Sequence, residues 1–248
     1  MVGVSESPQK YTPRPMSNTT TYALAAVAVV VIALIVFLAM RWSKEEAAIR
    51  NDGYGAVHNP AVVSVLAPDG AILLGRVDAA HTVDVYEDPL CPACGEVERV
   101  YGQEIAQRVD DGELAVRYRF VNFLDSRSGS KDYSTRAVAA NQCVAEGGSG
   151  PVYSKFHERL FVTDQPEENR SDHTDQQLAE LARSAGASEE VVRCVASGAK
   201  IENAKVTAKA ALDQLNGLLE GRAATPAVYD GSNRVDVNNE NWVVEVSS

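Results

Sequence analysis

Cysteine and histidine are scarce in this chain: four of each in 248 residues. A tetrahedral structural metal site needs four ligands held by closely paired spacings. Only Cys91 and Cys94 are close together, and His58, His81, His157 and His173 follow no ligand pattern. No metal or other cofactor is therefore expected, and the histidines read as ordinary loop or surface residues. Positive charge is also in short supply. From Lys44 onward there are 20 Lys and Arg against 33 Asp and Glu. Such a surface repels phosphate backbones, which excludes nucleic acid as a natural partner. Internal repeats and long low-complexity blocks are missing too, and the length beyond the linker suits one domain carrying an insertion.

One long apolar run is present. Residues 22–40, YALAAVAVVVIALIVFLAM, hold nineteen positions without a charge. That is enough for a helix to cross a bilayer core. A cleavable signal peptide would have a shorter apolar region followed by a small-residue cleavage site, whereas here Arg41, Trp42, Ser43 and Lys44 follow. The run is read as an uncleaved single-pass membrane anchor. Residues 1–21 are read as a short disordered cytoplasmic tail, and residues 41–60 as a linker. Lys10 and Arg14 precede the run, and Arg41, Lys44 and Arg50 follow it. That distribution does not fix the orientation.

Beyond the linker the hydrophobic period changes in an informative order. AILLG (71–75) suits a short strand. HTVDVYE (81–87) alternates Val83, Val85 and Glu87 with Thr82, Asp84 and Tyr86, as a strand does. Val97, Val100, Tyr101, Ile105 and Val109 then recur at helical spacing until the Asp-Asp-Gly at 110–112. ELAVRYRFVNFL (113–124) returns to strand alternation. Helices are expected over 133–148, 151–162 and 188–197, and another behind a Thr174/Gln177 capping box and closed by Gly186. The stripe Ile201, Ala204, Ala208, Leu212, Leu215 and Leu219 predicts a long helix ended at Gly221. Residues 223–237 read as two strands around an Asp-Gly turn, and the patch around Trp242 as a docked terminal turn.

Cys91-Pro92-Ala93-Cys94 falls at the first strand-to-helix junction. A permanent staple there would close a very small loop and add little. Exchange chemistry uses the position better. A cysteine at a helix N-terminus meets unpaired N–H groups and the positive end of the dipole, which favour thiolate. Cys94, one turn inside, is less exposed. Cys91 is thus the expected attacking sulfur and Cys94 the resolving one. Thr225-Pro226 opens a late strand, where proline needs a reason; a cis bond beside the cysteines is one. Glu87 and Asp88 stand before the pair as candidates for proton transfer, although solvated acids near a turn are the plainer reading.

EDPLCPAC after a strand, a helical insertion, a long helix and then ATPAV (224–228) together resemble the DsbA-like branch of the thioredoxin superfamily, in the membrane-anchored form of actinobacteria including mycobacteria. The resemblance covers residues 70–238. It implies an α/β thioredoxin-like fold in two parts, residues 61–128 and 200–248, around a helical insertion at 129–199. It further implies a protein disulfide oxidoreductase. Substrate peptide would bind beside Cys91, against Pro92, Ala93, Thr225 and Pro226. The expected function is to introduce disulfides into exported proteins. Reductase or isomerase activity, or a non-catalytic peptide-binding or chaperone module on the same scaffold, are the alternatives. The implied partners are exported unfolded or reduced proteins and a quinone-linked membrane reoxidant, DsbB-like or vitamin-K-epoxide-reductase-like. The catalytic domain would lie on the extracytoplasmic side of the cell membrane.

Two features depart from the family pattern. Ala93 replaces the histidine of the best-known oxidising members, which implies a milder oxidant. Val85 stands where many members carry an acid. Cys143 and Cys194 remain, on separate predicted helices. If the domain is exported, an oxidising compartment favours a structural disulfide between them.

Overall fold

A computed structural model describes residues 22–23, 26–35 and 47–248. The described parts of 22–35 are helical, and the rest of the expected anchor lies outside the described residues. Among the described residues no helix is long and apolar enough to cross a membrane. Residues 48–248 form a compact unit of their own.

Six strands make one sheet: β1 (Val63–Leu66), β2 (Ile72–Gly75), β3 (His81–Glu87), β4 (Leu114–Phe120), β5 (Ala227–Asp230) and β6 (Asn233–Val235). Their order is β1-β2-β4-β3-β5-β6. β3 and β4 are parallel, with Val83 opposite Val116 and Glu87 opposite Phe120. A parallel pair requires a crossover, and helix α1 (Pro92–Asp111) supplies it. β5 then adds antiparallel to β3, Val85 facing Val228. The cysteine turn is thereby held at the end of the central strand, with the residues that precede β5 beside it.

Side chains along a strand alternate between faces. Val83, Val85, Val116, Tyr118 and Phe120 join the main core with α1 and the helical insertion. Tyr86, Ala227 and Tyr229 point the other way, onto Leu215 of α6 (Ile201–Leu218). The insertion consists of α2 (Tyr133–Glu146), α3 (Gly150–Glu158), a π-helical turn Arg159–Thr163, α4 (Asp175–Ala185) and α5 (Glu189–Ala196). The expected single helix over 151–162 thus changes pitch after Glu158. The Thr174 capping box is fully formed, and Gly186 ends α4 with φ of 99°. Short helix α7 (Trp242–Val246) docks Trp242, only 1% exposed, edge-on against Tyr101.

The later part of the predicted linker is packed against the body. The Arg50 N–H donates to Val100 O at 2.7 Å. The Tyr54 hydroxyl donates to Asp110 at 2.9 Å, and Val57 is fully buried. Strand β1 was not foreseen; it pairs with β2 and covers that edge. Cys143 on α2 and Cys194 on α5 are joined, with S–S 2.02 Å and Cα atoms 5.9 Å apart. The bond joins residues 51 positions apart in sequence and fastens their two helices together.

Candidate active site

Cys91 is the N-cap of α1, and Pro92 occupies its first turn. There the missing proline N–H costs no helical hydrogen bond. The N–H groups of Cys94 and Gly95 donate to Cys91 O at 3.1 and 3.2 Å, which folds the chain tightly around the first sulfur. Both cysteines are thiols. Cys91 retains 6% exposure and Cys94 none. Pro92 and Ala93 between them are exposed.

The Cys91 thiol donates to Thr225 O at 3.4 Å, across a sequence gap of 134 residues. The Thr225–Pro226 peptide is cis. A cleft of about 310 Å³ opens beside it, lined by Pro226, Val228, Arg234 and Asp236 among others. The half-buried residues at 225–226 and the exposed Pro92 and Ala93 therefore flank the sulfur of this pair that solvent reaches.

The two sulfurs differ sharply in acidity. The Cys91 thiol is pulled down to about 6, first by a hydrogen bond from Cys94 and then, against desolvation, by Thr225 and the N–H groups of Cys94 and Ala93. The Thr225 hydroxyl is buried without another partner, and a thiolate at Cys91 gives it an acceptor. Burial pushes the Cys94 thiol far up, and the hydrogen bond it gives to Cys91 and the charge of Glu87 add to that. One sulfur is thus nucleophilic at neutral pH, while the other holds its proton.

Glu87 and Asp88 are not solvated acids; both are completely buried. Asp88 fastens the turn. One carboxylate oxygen accepts from Leu90 N–H at 3.0 Å and from Ser134 Oγ at 2.5 Å, and the other accepts from Leu124 N–H at 3.0 Å. Its backbone carbonyl accepts from Cys91 N–H at 2.8 Å. Burial raises its carboxyl to about 7, although those hydrogen bonds oppose the rise. Glu87 continues the inward phase of Val83 and Val85 and so enters the core beneath α1.

Glu87 meets a histidine there. His157 is 3% exposed, contrary to its expected place on a loop or the surface. Its Nε2 lies 3.1 Å from Glu87 Oε2 and its Nδ1 3.6 Å from Glu98 Oε2. Its ring packs on Tyr118 at 4.2 Å and on Phe161 at 4.5 Å. Desolvation lowers the imidazole and pushes Glu87 well above the usual carboxylate range; it raises Glu98 to about 8. One ligand atom from each of Glu87, Glu98 and His157 lies within 4.8 Å of the others, close enough to surround a cation. The imidazole, however, faces the two carboxylates with different nitrogens. The Glu87 side is a hydrogen bond at 3.1 Å and the Glu98 side a looser approach at 3.6 Å; a metal bound by histidine takes one nitrogen and leaves the other for an outer partner, which this arrangement does not do.

Gln165, just after the π-helical turn, also belongs to the site. Its side-chain amide donates to Cys91 O at 3.0 Å and to Pro89 O at 3.3 Å. A Cβ on Gly95 would sit 2.3 Å from Gln165 Oε1 and 2.6 Å from Phe161 O, so glycine is what lets the insertion close over the start of α1. Glu98, Ser134, His157 and Gln165 were all missed from sequence. A signal existed for two of them. Glu98 lies four residues after Cys94 and three before Tyr101 on the inner face of α1, and His157 lies four after Tyr153 on that of α3.

The sequence profile of the family described as Thioredoxin matches residues 68–242. The chain is 41% identical over 177 residues to the serine/threonine-protein kinase PknE of Mycobacterium tuberculosis, an alignment covering 71% of this chain and 31% of that protein. It therefore spans less than a third of the length of the curated relatives it matches. Among solved structures it is similar to the MdbA protein, a thiol-disulfide oxidoreductase from Corynebacterium diphtheriae. The TM-score is 0.67 and the identity 29%, over 79% of this chain and 97% of that one. Oxidised Mtb DsbA gives a TM-score of 0.57 at 33% identity, over 75% of this chain and 93% of the other.

Proposed function

The chain belongs to the thioredoxin family and is a DsbA-like thiol–disulfide oxidoreductase; from that premise we propose that it introduces disulfide bonds into exported proteins, outside the cytoplasm and tethered to the membrane by residues 22–40. The observation that carries this reading is the asymmetry of the two sulfurs. Cys91 is reachable and ionises at about 6, whereas Cys94 is sealed and holds its proton.

In the oxidising direction a substrate thiolate attacks Cys91 of the Cys91–Cys94 disulfide. A substrate–Cys91 bond forms, and Cys94 leaves with the electron pair and takes up a proton. A second substrate thiolate then displaces Cys91, which departs as the thiolate that Thr225 and the helix N-terminus stabilise. A stabilised thiolate makes the dithiol form more favourable and the disulfide a stronger oxidant. The groove at Thr225 and Pro226, with Pro92 and Ala93 opposite, is where the substrate chain would lie. Glu87 is the acid nearest in effect to Cys94 and would exchange its proton. Asp88 holds the turn, and any share it has in proton transfer is secondary.

The Cys143–Cys194 bond supports an extracytoplasmic site, because such bonds persist in oxidising compartments. The dithiol left after each cycle requires a reoxidant, for which a quinone-linked membrane protein of DsbB-like or vitamin-K-epoxide-reductase-like type is the candidate. A shared membrane would raise the effective concentration of the two. Reductase or isomerase work uses the same residues and differs in redox poise.

The test is trapping in intact cells. Cys94→Ser in the full chain should accumulate mixed disulfides through Cys91 with exported proteins. Adducts confined to cytoplasmic proteins, or none at all, would refute the proposed role.

A further inference from the structure

The core behind the cysteines holds more acid–base groups than a hydrophobic core tolerates without reason. Glu87 Oε1 and the Tyr153 hydroxyl are buried and have no hydrogen-bond partner. Glu87 Oε2, the two nitrogens of His157 and Glu98 Oε2 follow one another at 3.1 and 3.6 Å. Glu87 influences Cys94 electrostatically at one end. At the other end Glu98 and His157 line a cavity of about 40 Å³. Half-exposed Gly55 and Gln103 and exposed Glu158 stand at its rim. Cys91, Thr225 and Pro226 take no part in that cavity. The back of the site therefore reaches the surface by a route separate from the one substrate uses.

We propose that Glu87, His157 and Glu98 form a proton relay linking buried Cys94 to the cavity beside Gly55 and Gln103. The inference rests on the exchange reaction described above. When substrate sulfur attacks Cys91, the Cys91–Cys94 bond breaks and its electron pair stays on Cys94. Glu87 gives its proton to that sulfur. His157 passes a proton to Glu87 through Nε2 and takes one from Glu98 through Nδ1, and Glu98 is refilled from solvent at the rim. When Cys94 attacks a mixed disulfide at Cys91, the same protons run outward. The longer gap needs about half an ångström of closure to become a good hydrogen bond. The groups facing the relay are Cys91 and Cys94 on α1, Tyr118 on β4 and Tyr153 on α3. Burial raises both carboxyls, and Glu98, at about 8, holds a proton to give at neutral pH.

His157 and Glu98 are positioning residues, and the test must separate a relay from a scaffold. The full chain is loaded with glutathione on Cys91, and release of glutathione by Cys94 is followed across pH 5–9. Glu98→Gln keeps the shape and removes the exchangeable proton. Release should slow by about a hundredfold, and the inflection that Glu98 places near pH 8 should disappear. In Glu98→Ala, added formate should restore part of the rate by occupying the cavity. Loading is by attack of the Cys91 thiolate of the reduced chain on oxidised glutathione, which leaves Cys94 a thiol throughout and is the internal reference. Normal loading with release unchanged in both variants would overturn the relay alone, as would a slowed release that keeps its pH profile and ignores formate. A stoichiometric divalent metal in the purified chain would overturn it in favour of a cation site. Failure of the parent chain to load at Cys91 would instead refute the exchange reading beneath it.

Discussion

Two pairs of cysteines in one chain have taken opposite forms. Cys143 and Cys194 lie 51 positions apart on different helices and are bonded. Cys91 and Cys94 share a helical turn and are both thiols. Exposure does not mark the reactive pair, since Cys91 is 6% exposed and Cys94 sealed, whereas Cys143 is 2% exposed and Cys194 half-buried. Their surroundings do. Cys143 lies inside α2 beside the buried Ala139, Ala140 and Val144, not at a helix N-terminus. Cys91 has a helix N-terminus, a threonine and a second thiol directed at its sulfur. A cysteine becomes reactive when its environment pays for the anion, and inert when burial is all it has.

The largest expected effect breaks the comparison at its active side. Cys91→Ser should abolish exchange with a model disulfide, while Cys94→Ser should retain the first attack and stall as a mixed disulfide. Quenched gels run without reductant would read both. Replacing Cys143 and Cys194 together with alanine should leave exchange intact and lower stability by about 4 kcal/mol, less any strain, on the loop-entropy account. Urea unfolding of the oxidised parent and the double variant measures that difference; a loss of exchange without a loss of stability would invert the roles assigned to the pairs.

A third prediction uses pH. Thiolate absorbance of the reduced protein should rise with a midpoint at about 6. That thiol titrates near 9.0 when unperturbed. The folded dithiol therefore gains stability as pH rises from about 6 to 9, and loses that contribution as pH falls through 6. The Cys91–Cys94 disulfide form has no such term. Buried Asp88 and Glu98 act in the opposite sense, lowering stability as pH rises from the ordinary carboxylate range toward 7 and 8. They are present in both redox forms, so the difference between reduced and oxidised unfolding curves leaves Cys91 together with the part of the Asp88 shift that the Cys91 charge causes. The smallest effect belongs to Thr225→Val, which should raise the Cys91 midpoint and slow its attack a few-fold without altering the fold; an unmoved midpoint would remove Thr225 from the thiolate's support.

Much of this was legible in the residues. The strand–helix–strand rhythm around Cys91 and Cys94, the capping box at Thr174 and the proline at 226 each depend on neighbours in sequence. The misreadings share a cause. Glu87 and Asp88 were taken for solvated acids because acids near a turn usually are, yet Glu87 keeps the phase of Val83 and Val85 into the core. His157 was assigned to the surface for want of a ligand pattern, although it sits at the inward spacing of its helix. Residues 41–60 were taken for a linker because mixed charge, glycine and proline mark one; the docking of 50–60 depends on Val100, Asp110 and Ser154, which sequence order does not place nearby.

Sequence by itself determined which atoms are present for the chemistry and where the first thiolate forms, because a helix N-terminus is a local property of backbone N–H groups and a Cys-Pro-Ala-Cys turn. Only the tertiary structure decided what faces each sulfur. Thr225 reaches Cys91 across 134 positions, and Glu87, Glu98 and His157 meet only when a strand and two helices pack together. Desolvation and charge act through space over a few ångströms, so the acidities that separate the two thiols are properties of the packed core.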